Sequence, residues 1–241
     1  MTALSARLLP CAFSVLLLLA TAVAAGPIAD FEHALRAAYA DYRTALFESN
    51  RKNAAATAAA LEAFAHKWQV LSARWGEQPP PHLSEDPQLR ASLDRITRIA
   101  AEARAQTAAG ELARAHDTLE EIRRVLGALR DRNGQITFSD RMDAFHEAME
   151  HAVEAASGAL DAASVGALRE QAAVLGYLAS SLRRHRPAET GSDRTFEELL
   201  ATLEQAVAGF LGAVRSGDAA AIKAAAQKLK PAYGRLFLKY G

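Results

Sequence analysis

Residues 53–71 read NAAATAAALEAFAHKWQVL, and their spacing indicates the fold. Asn53 can cap a helix, and the bulky residues Phe64, Trp68 and Leu71 follow it at eleven, fifteen and eighteen positions. Steps of three and four residues place these side chains on one face of an α-helix. The pattern therefore predicts a repetitive all-α protein, because the same spacing recurs after three further residues: Glu111 (Ile122, Leu126, Leu129), Ser164 (Leu175, Ala179, Leu182) and Asp218 (Leu229, Tyr233, Leu236).

The rest of the chain also has a helical composition, with abundant alanine and few β-branched residues. Proline and glycine residues separate eight segments of helical periodicity. Ser139 or Asp140, Asp193 and Asp218 are the expected N-caps, and Pro231 predicts a kink in the middle of the last helix. We predict helices over residues 28–50, 54–75, 88–107, 111–132, 140–157, 164–185, 195–215 and 218–239.

The connections between these helices alternate between short turns and longer proline-bearing crossovers. That alternation is typical of up-down-up-down four-helix bundles. Asn133-Gly134 separates the first four predicted helices from the last four. We therefore predict eight helices as four hairpins, arranged as two tandem four-helix bundles over residues 26–134 and 135–241. A continuous solenoid of four hairpins is the alternative architecture.

The first 25 residues predict an export signal. Arg7 precedes an almost unbroken apolar run from Ala12 to Val23, which ends in small residues. Such a pattern is typical of a secretory signal peptide, here cleaved after Ala25, and the run is short for a membrane span. The sequence thus predicts a periplasmic or secreted protein without a membrane span after cleavage.

Cleavage at that position would also remove Cys11, the only cysteine. The remaining chain could then form no disulfide, no thiolate metal site and no covalent haem attachment through Cys-x-x-Cys-His. The formal net charge of the whole chain is zero, whereas nucleic-acid-binding proteins usually present a basic face. We expect no nucleic-acid partner, and we expect a metal ion, a small ligand or a periplasmic protein instead.

Residues 216–240, SGDAAAIKAAAQKLKPAYGRLFLKY, resemble the last hairpin of the soluble periplasmic b-type cytochromes. The first half is similar too, since Asn53-Ala54-Ala55, the prolines at 79–81 and the turn at Gly110 follow in that family's order. The resemblance implies an exported four-helix bundle that holds one non-covalent haem between a methionine of its first helix and a histidine of its last.

The haem ligands of that family are not preserved in either half of this chain. The methionine position falls on or near Met149 in the second half, but the histidine position holds Phe237. The corresponding positions in the first half are Ala38 and Arg130. The resemblance therefore implies the family's scaffold with its cofactor site lost or replaced, since a fold can be kept while its site changes.

The densest cluster of possible metal ligands is His146, Met149 and Glu150, which are spaced i, i+3 and i+4 and project from one helix. Imidazole with carboxylate suits zinc or iron, and a thioether would favour copper. His116 and Glu120 have a His-x-x-x-Glu spacing on the fourth helix. If the fourth and fifth helices lie side by side, both histidines and both carboxylates could converge on one ion.

The alternative interpretation of this cluster is structural. On a helical wheel Met149 falls on the apolar stripe of its helix, His146 at the edge of that stripe, and Glu150 further out. Met149 would then be an ordinary core residue, His146 a boundary residue and Glu150 a surface residue.

The sequence contains no nucleophile-base pair and no glycine-rich phosphate loop, so we predict a protein that is not an enzyme. Three hypotheses remain open at this stage. The protein is a metal- or small-ligand-binding accessory protein, a cofactor-free adaptor that acts through its surfaces, or a haem-binding electron carrier of cytochrome b type with an unexpected ligand.

Overall fold

The computed structural model describes residues 26–241, and helices account for most of them. No β-strand occurs within this range, which confirms the predicted all-α class. All eight predicted helical segments are present, and the last one is divided in two. The helices are α1 (Pro27–Asn50), α2 (Ala54–Glu77), α3 (Leu89–Ala108), α4 (Leu112–Arg132), α5 (Phe138–Ser157), α6 (Ala162–Arg184), α7 (Arg194–Ser216), α8 (Ala219–Ala226) and α9 (Leu229–Tyr240).

Several helices begin at a side chain that accepts a hydrogen bond from the free backbone N–H groups of the first turn. Asn53, Asp193 and Asp218 have this role at the start of α2, α7 and α8. Such caps offset the missing intrahelical partners of the first turn. The predictions for Asp193 and Asp218 are therefore confirmed.

Two helices begin two residues earlier than the sequence predicts. Ser139 or Asp140 is the expected cap of α5, but Thr137 is the cap: its side chain accepts from the Asp140 N–H, while the Asp140 carboxylate accepts from the Thr137 N–H. This reciprocal capping box satisfies two backbone donors at once. Similarly, α6 follows Asp161 rather than beginning at Ser164, because the Asp161 carboxylate accepts from the Ser164 N–H.

The twelve residues of the fourfold apolar repeat are all buried. They lie on the inward faces of α2, α4, α6 and α9. Trp68 is the largest of them, and its indole N–H donates to the Leu93 carbonyl across 3.2 Å, so its one polar group is satisfied inside the core. The repeat therefore marks positions that are buried in the core.

The last predicted helix is interrupted at Gln227 and Lys228, between α8 and α9. The expected kink near Pro231 is thus present, and it lies one turn before the proline. Its position follows from the chemistry of proline, whose ring clashes with the carbonyl four residues earlier, here that of Gln227. Pro231 itself lies in the first turn of α9, where no N–H is needed for the helix.

The helices pack in two sets of consecutive elements. In the first set α1 contacts α2 and α4, and α3 contacts the same two helices. In the second set α6 contacts α5 and α7, and both α8 and α9 contact those two helices. α1 also contacts α9, and buried apolar side chains of both sets form one continuous core. Side chains of α1, α4, α5 and α9 therefore meet where the two sets join.

Residues 1–25 lie outside the described residues, and the signal peptide predicted there stays a prediction. Among the helices from residue 26 onward, none is both long and apolar enough to cross a membrane.

Candidate functional site

Three of the five predicted metal ligands come together in the structure. His116 and Glu120 lie on α4, His146 lies on α5, and all three meet around the Glu120 carboxylate. Met149 is only 1% exposed and belongs to the core of α5. Glu150 forms an ion pair with Lys230 of α9, with 2.5 Å between Oε2 and Nζ. Of the five predicted ligands, the site therefore contains His116, Glu120 and His146.

One oxygen of Glu120 is the centre of this arrangement. Its Oε1 atom lies 3.7 Å from Nε2 of His116 and 3.4 Å from Nε2 of His146. Nη2 of Arg123 lies 2.8 Å from the same oxygen. Three nitrogen-bearing side chains thus surround one carboxylate oxygen, two from α4 and one from α5.

The far side of the His116 ring is fixed by α1. Its Nδ1 atom lies 3.0 Å from the Ser49 hydroxyl and 3.1 Å from the Leu46 carbonyl. A carbonyl oxygen only accepts, so the contact with Leu46 assigns a proton to Nδ1. A neutral ring then presents the lone pair of Nε2 to the Glu120 carboxylate. A lone pair and a carboxylate repel each other. The contact between His116 Nε2 and Glu120 therefore becomes favourable when Nε2 also carries a proton or when a cation lies between the two groups.

His146 is held by aromatic packing rather than by a second hydrogen bond. Its ring centroid lies 5.1 Å from that of Tyr233 on α9. Its Nδ1 atom is buried and has no hydrogen-bond partner within residues 26–241. Only the Nε2 atom of His146 therefore has a polar contact, and that contact is Glu120.

Arg123 joins the two sets of helices in the interior. Its side chain is 8% exposed, and Nη1 lies 3.3 Å from Asp143 and 3.4 Å from the Tyr233 hydroxyl. Its guanidinium carbon lies 5.5 Å from the centre of the Phe237 ring. Burial alone would lower the pKa of Arg123, but nearby tyrosines and carboxylates raise it overall, so the side chain keeps its charge.

The two carboxylates near Arg123 respond differently to their surroundings. Contact with His146 lowers the pKa of Glu120 to about 2, against the effect of burial and with the help of Arg123. Burial raises the pKa of Asp143, although Arg123 and Arg130 act in the opposite direction. Glu120 is therefore the anionic centre of the site at neutral pH.

A cleft of about 630 Å³ opens between α4 and α5 beside Glu120. Six carboxylates and two guanidinium groups line it, which favours a cationic over an anionic occupant. We call it the α4–α5 cleft, and the lining residues that matter here are Glu120, Arg123, Asp140, Asp143, His146 and Glu150.

In the described part of the chain, no group of three or more His, Cys, Asp or Glu side chains is arranged to hold a metal ion. At this site the Arg123 cation already pairs with Glu120. A metal ion could bind to both histidines and Glu120 only if Arg123 released the carboxylate.

The sequence did not predict that Arg123, Asp143 and Tyr233 belong to this site. A signal for Arg123 existed, because it follows the core residue Ile122 directly and lies three positions after Glu120. An arginine at the edge of an apolar stripe needs a buried partner. Asp143 and Tyr233 come from other helices, and no local spacing connects them to Arg123.

At the four positions that match the cytochrome haem ligands, the side chains pack in the core or form an ion pair. Ala38 and Met149 are buried in the core, and Phe237 stacks on Tyr233 with 5.6 Å between ring centroids. Arg130 is paired with Asp140.

No family model, curated protein or solved structure matches this chain. Conclusions on function therefore rest on the geometry of the site.

Proposed function

We propose that this chain is an exported, non-catalytic binding protein that holds a transition-metal ion between His116, Glu120 and His146. The observation that carries the proposal is that Nε2 atoms from two helices face one carboxylate oxygen, at 3.7 and 3.4 Å. Two imidazoles and one carboxylate are a ligand set that suits zinc or iron. A solvent molecule would complete the coordination from the α4–α5 cleft.

The surroundings of His116 support this assignment. Metal-bound histidines commonly donate their other ring N–H to a carbonyl or another acceptor, which fixes the tautomer and the ring orientation. The contact of His116 Nδ1 with the Leu46 carbonyl has this form. It leaves Nε2 available as the ligand atom and directs it toward Glu120.

Metal binding would require an exchange at Glu120. The carboxylate would release Arg123 and bind the ion, while Arg123 would keep its contacts with Asp143 and Tyr233. A buried cation that loses one carboxylate but keeps another remains compensated. The proposed exchange therefore leaves no isolated charge in the interior.

The test is a zinc titration of the chelator-treated protein, with bound metal measured by elemental analysis. We expect one equivalent of zinc, and we expect His146→Ala and Glu120→Gln each to lower the affinity at least about tenfold while the fold is kept. His66→Ala is the matched control, because His66 is an exposed histidine of α2. Unchanged zinc affinity in both site variants would refute the proposal.

A second candidate function, a cofactor-free adaptor, is favoured by one specific observation. Glu120 is already paired with Arg123, and the described residues contain no preformed three-ligand set. On this proposal the cluster only stabilises the joint between the helix sets. Absence of bound metal, together with a reproducible periplasmic partner in pull-downs, would support the adaptor. The haem-carrier alternative requires a Soret band in the purified protein.

We further propose that residues 26–134 and 135–241 are tandem four-helix bundles. The contacts of α1 with α4, and of α5 with α8 and α9, support this, because a first helix touches a fourth in a closed bundle. In a continuous solenoid each hairpin would mainly contact its neighbours.

The proposed periplasmic or secreted location rests on the predicted signal peptide. The mass of the mature protein tests whether that peptide is cleaved after Ala25.

A further inference from the structure

A second cleft, distinct from the α4–α5 cleft, lies where α1, α5 and α9 approach the connection between α6 and α7. Its volume is about 490 Å³. Among the side chains that the structure describes, five cationic ones line it and two acidic ones do, Glu32 and Asp193. We call it the basic cleft, and its cations are Arg36, Arg43, Arg130, Arg186 and Lys239.

Of the two described acidic side chains in the basic cleft, Asp193 already has hydrogen-bond and ion-pair partners, and Glu32 lies near a histidine without a hydrogen bond. Asp193 accepts from the Tyr240 hydroxyl at 2.5 Å and lies 3.9 Å from the Lys239 ammonium. Glu32 lies 3.5 Å from His82. In contrast, Arg36 has no acidic side chain within ion-pair distance among residues 26–241. Arg130 and Arg186 pair with Asp140 and Glu197, which lie outside the lining. The cations of the basic cleft that have no acidic partner among the described side chains are therefore Arg36 and Arg43, and they outnumber the carboxylate of Glu32.

The basic cleft also contains buried donors without acceptors. Tyr39 lines it, is 5% exposed, and its hydroxyl has no hydrogen-bond partner within the described range. The Nε–H of Arg186, also in the lining, is buried and equally unpaired there, although the other guanidinium nitrogens bond to Glu197 and to backbone carbonyls. Unpaired buried donors are rare because each loses its hydrogen bonds to water, so two in one cleft point to a missing acceptor.

The start of α5 adds backbone donors to the same lining. Phe138 and Ser139 occupy the first turn of this 20-residue helix and line the basic cleft. The capping box uses the N–H groups of Thr137 and Asp140, and no contact in residues 26–241 uses those of Phe138 and Ser139. Free N–H groups at a helix N-terminus favour an anion.

We propose that the basic cleft binds a phosphate group, with Arg36 and the Tyr39 hydroxyl as its side-chain donors. The buried donors select an acceptor-rich ligand, and a phosphate offers several oxygens to donors from different elements. A cationic ligand would face Arg36 and Arg43, which have no acidic partner among the described residues, and an apolar ligand would leave the donors unpaired. This site is independent of the proposed metal site, so either proposal can fail alone.

The test is isothermal titration of the full protein with inorganic phosphate at low ionic strength, beside chloride as a non-specific anion. We expect saturable binding of one phosphate. Tyr39→Phe should weaken it about tenfold, because it removes one donor to a charged group and keeps the ring. Tyr42→Phe is the matched control, since Tyr42 is also buried with an unpaired hydroxyl but does not line the basic cleft.

Arg36→Gln should likewise lower phosphate affinity about tenfold. Its control is Arg98→Gln on α3, another exposed arginine without an acidic partner in the described residues. Both tyrosine variants lose only an unpaired hydroxyl, so both are expected to fold. No saturable phosphate binding, or equal loss in the variants and their controls, would overturn the proposal.

Discussion

Arg130 in the last turn of α4 holds Asp140 in the first turn of α5 through three N···O contacts of 2.6–2.9 Å. The same carboxylate accepts from the backbone N–H and the hydroxyl of Thr137. One side chain therefore caps α5 and fixes that helix to the helix before it. The pair thus connects the end of α4 to the start of α5, the two helices that carry Glu120 and His146.

We expect Asp140→Ala to lower the free energy of unfolding by about 3 kcal/mol, because it leaves Arg130 buried without its partner. Urea unfolding measures the change. The control is Asp218→Ala, which removes a cap without breaking an ion pair and should cost about 1 kcal/mol. Equal losses in the two variants would show that the Arg130 contact adds nothing to stability.

The fourfold repeat predicts where truncation is most damaging. Leu71→Ala should lower the free energy of unfolding by about 3 kcal/mol, because it removes a fully buried side chain and leaves a cavity. Its neighbour Val70 is 61% exposed, and Val70→Ala should change stability by less than about 0.5 kcal/mol. Thermal or urea unfolding of both variants checks the difference, and a similar loss in each would contradict the assignment of the repeat to the core.

Asp86 predicts a pH dependence of stability. Its side chain is 3% exposed, and it accepts from the Asn133 and Arg132 side chains and from the Gln88 N–H. Burial acts to raise the pKa of Asp86, but these hydrogen bonds outweigh it and lower the pKa below the usual 3.8. A carboxyl with a lowered folded pKa stabilises the protein above its unfolded pKa, and this contribution is lost as pH falls through the folded value.

Asp86→Asn should therefore destabilise the protein by about 2 kcal/mol at pH 7 and by progressively less below pH 3.8. Unfolding by urea at several pH values gives the comparison. The neighbouring Glu85 is exposed and has no ion-pair partner in the described range, so Glu85→Gln should show no such trend. A constant difference between Asp86→Asn and the parent at every pH would exclude the proposed linkage.

Helix positions and core faces could be predicted because they depend on local rules. Periodicity of three and four residues defined the buried faces, and proline or glycine marked the connections. The starts of α5 and α6 differ from the prediction because the cap of each helix is not the polar residue nearest to the apolar stripe. Thr137 and Asp161 act from two or three residues further back, where the chain first leaves the extended conformation.

The candidate site was only partly predictable. The spacing of residues shows which side chains share a face of one helix, but it does not show which side chains of another helix they contact. The convergence of His116, Glu120 and His146 depends on how α4 and α5 approach each other, which the spacing within one helix does not indicate. Glu150 points from the same helix as His146, yet Lys230 from α9 pairs with it. That contact joins residues far apart in the chain, and no local pattern in the sequence connects them.

The last prediction concerns Met149, because a thioether ligand would favour copper over zinc as the bound ion. Its side chain is buried in the core, and the thioether is absent from the α4–α5 cleft lining. Met149→Leu keeps the volume, so stability should change by less than about 1.5 kcal/mol, and zinc affinity should stay within about twofold of the parent. Parallel titrations with zinc and copper measure this, with His146→Ala as the variant that should lose binding. A large loss of copper affinity in a folded Met149→Leu protein would show that the thioether is a ligand, and copper would then be the better assignment.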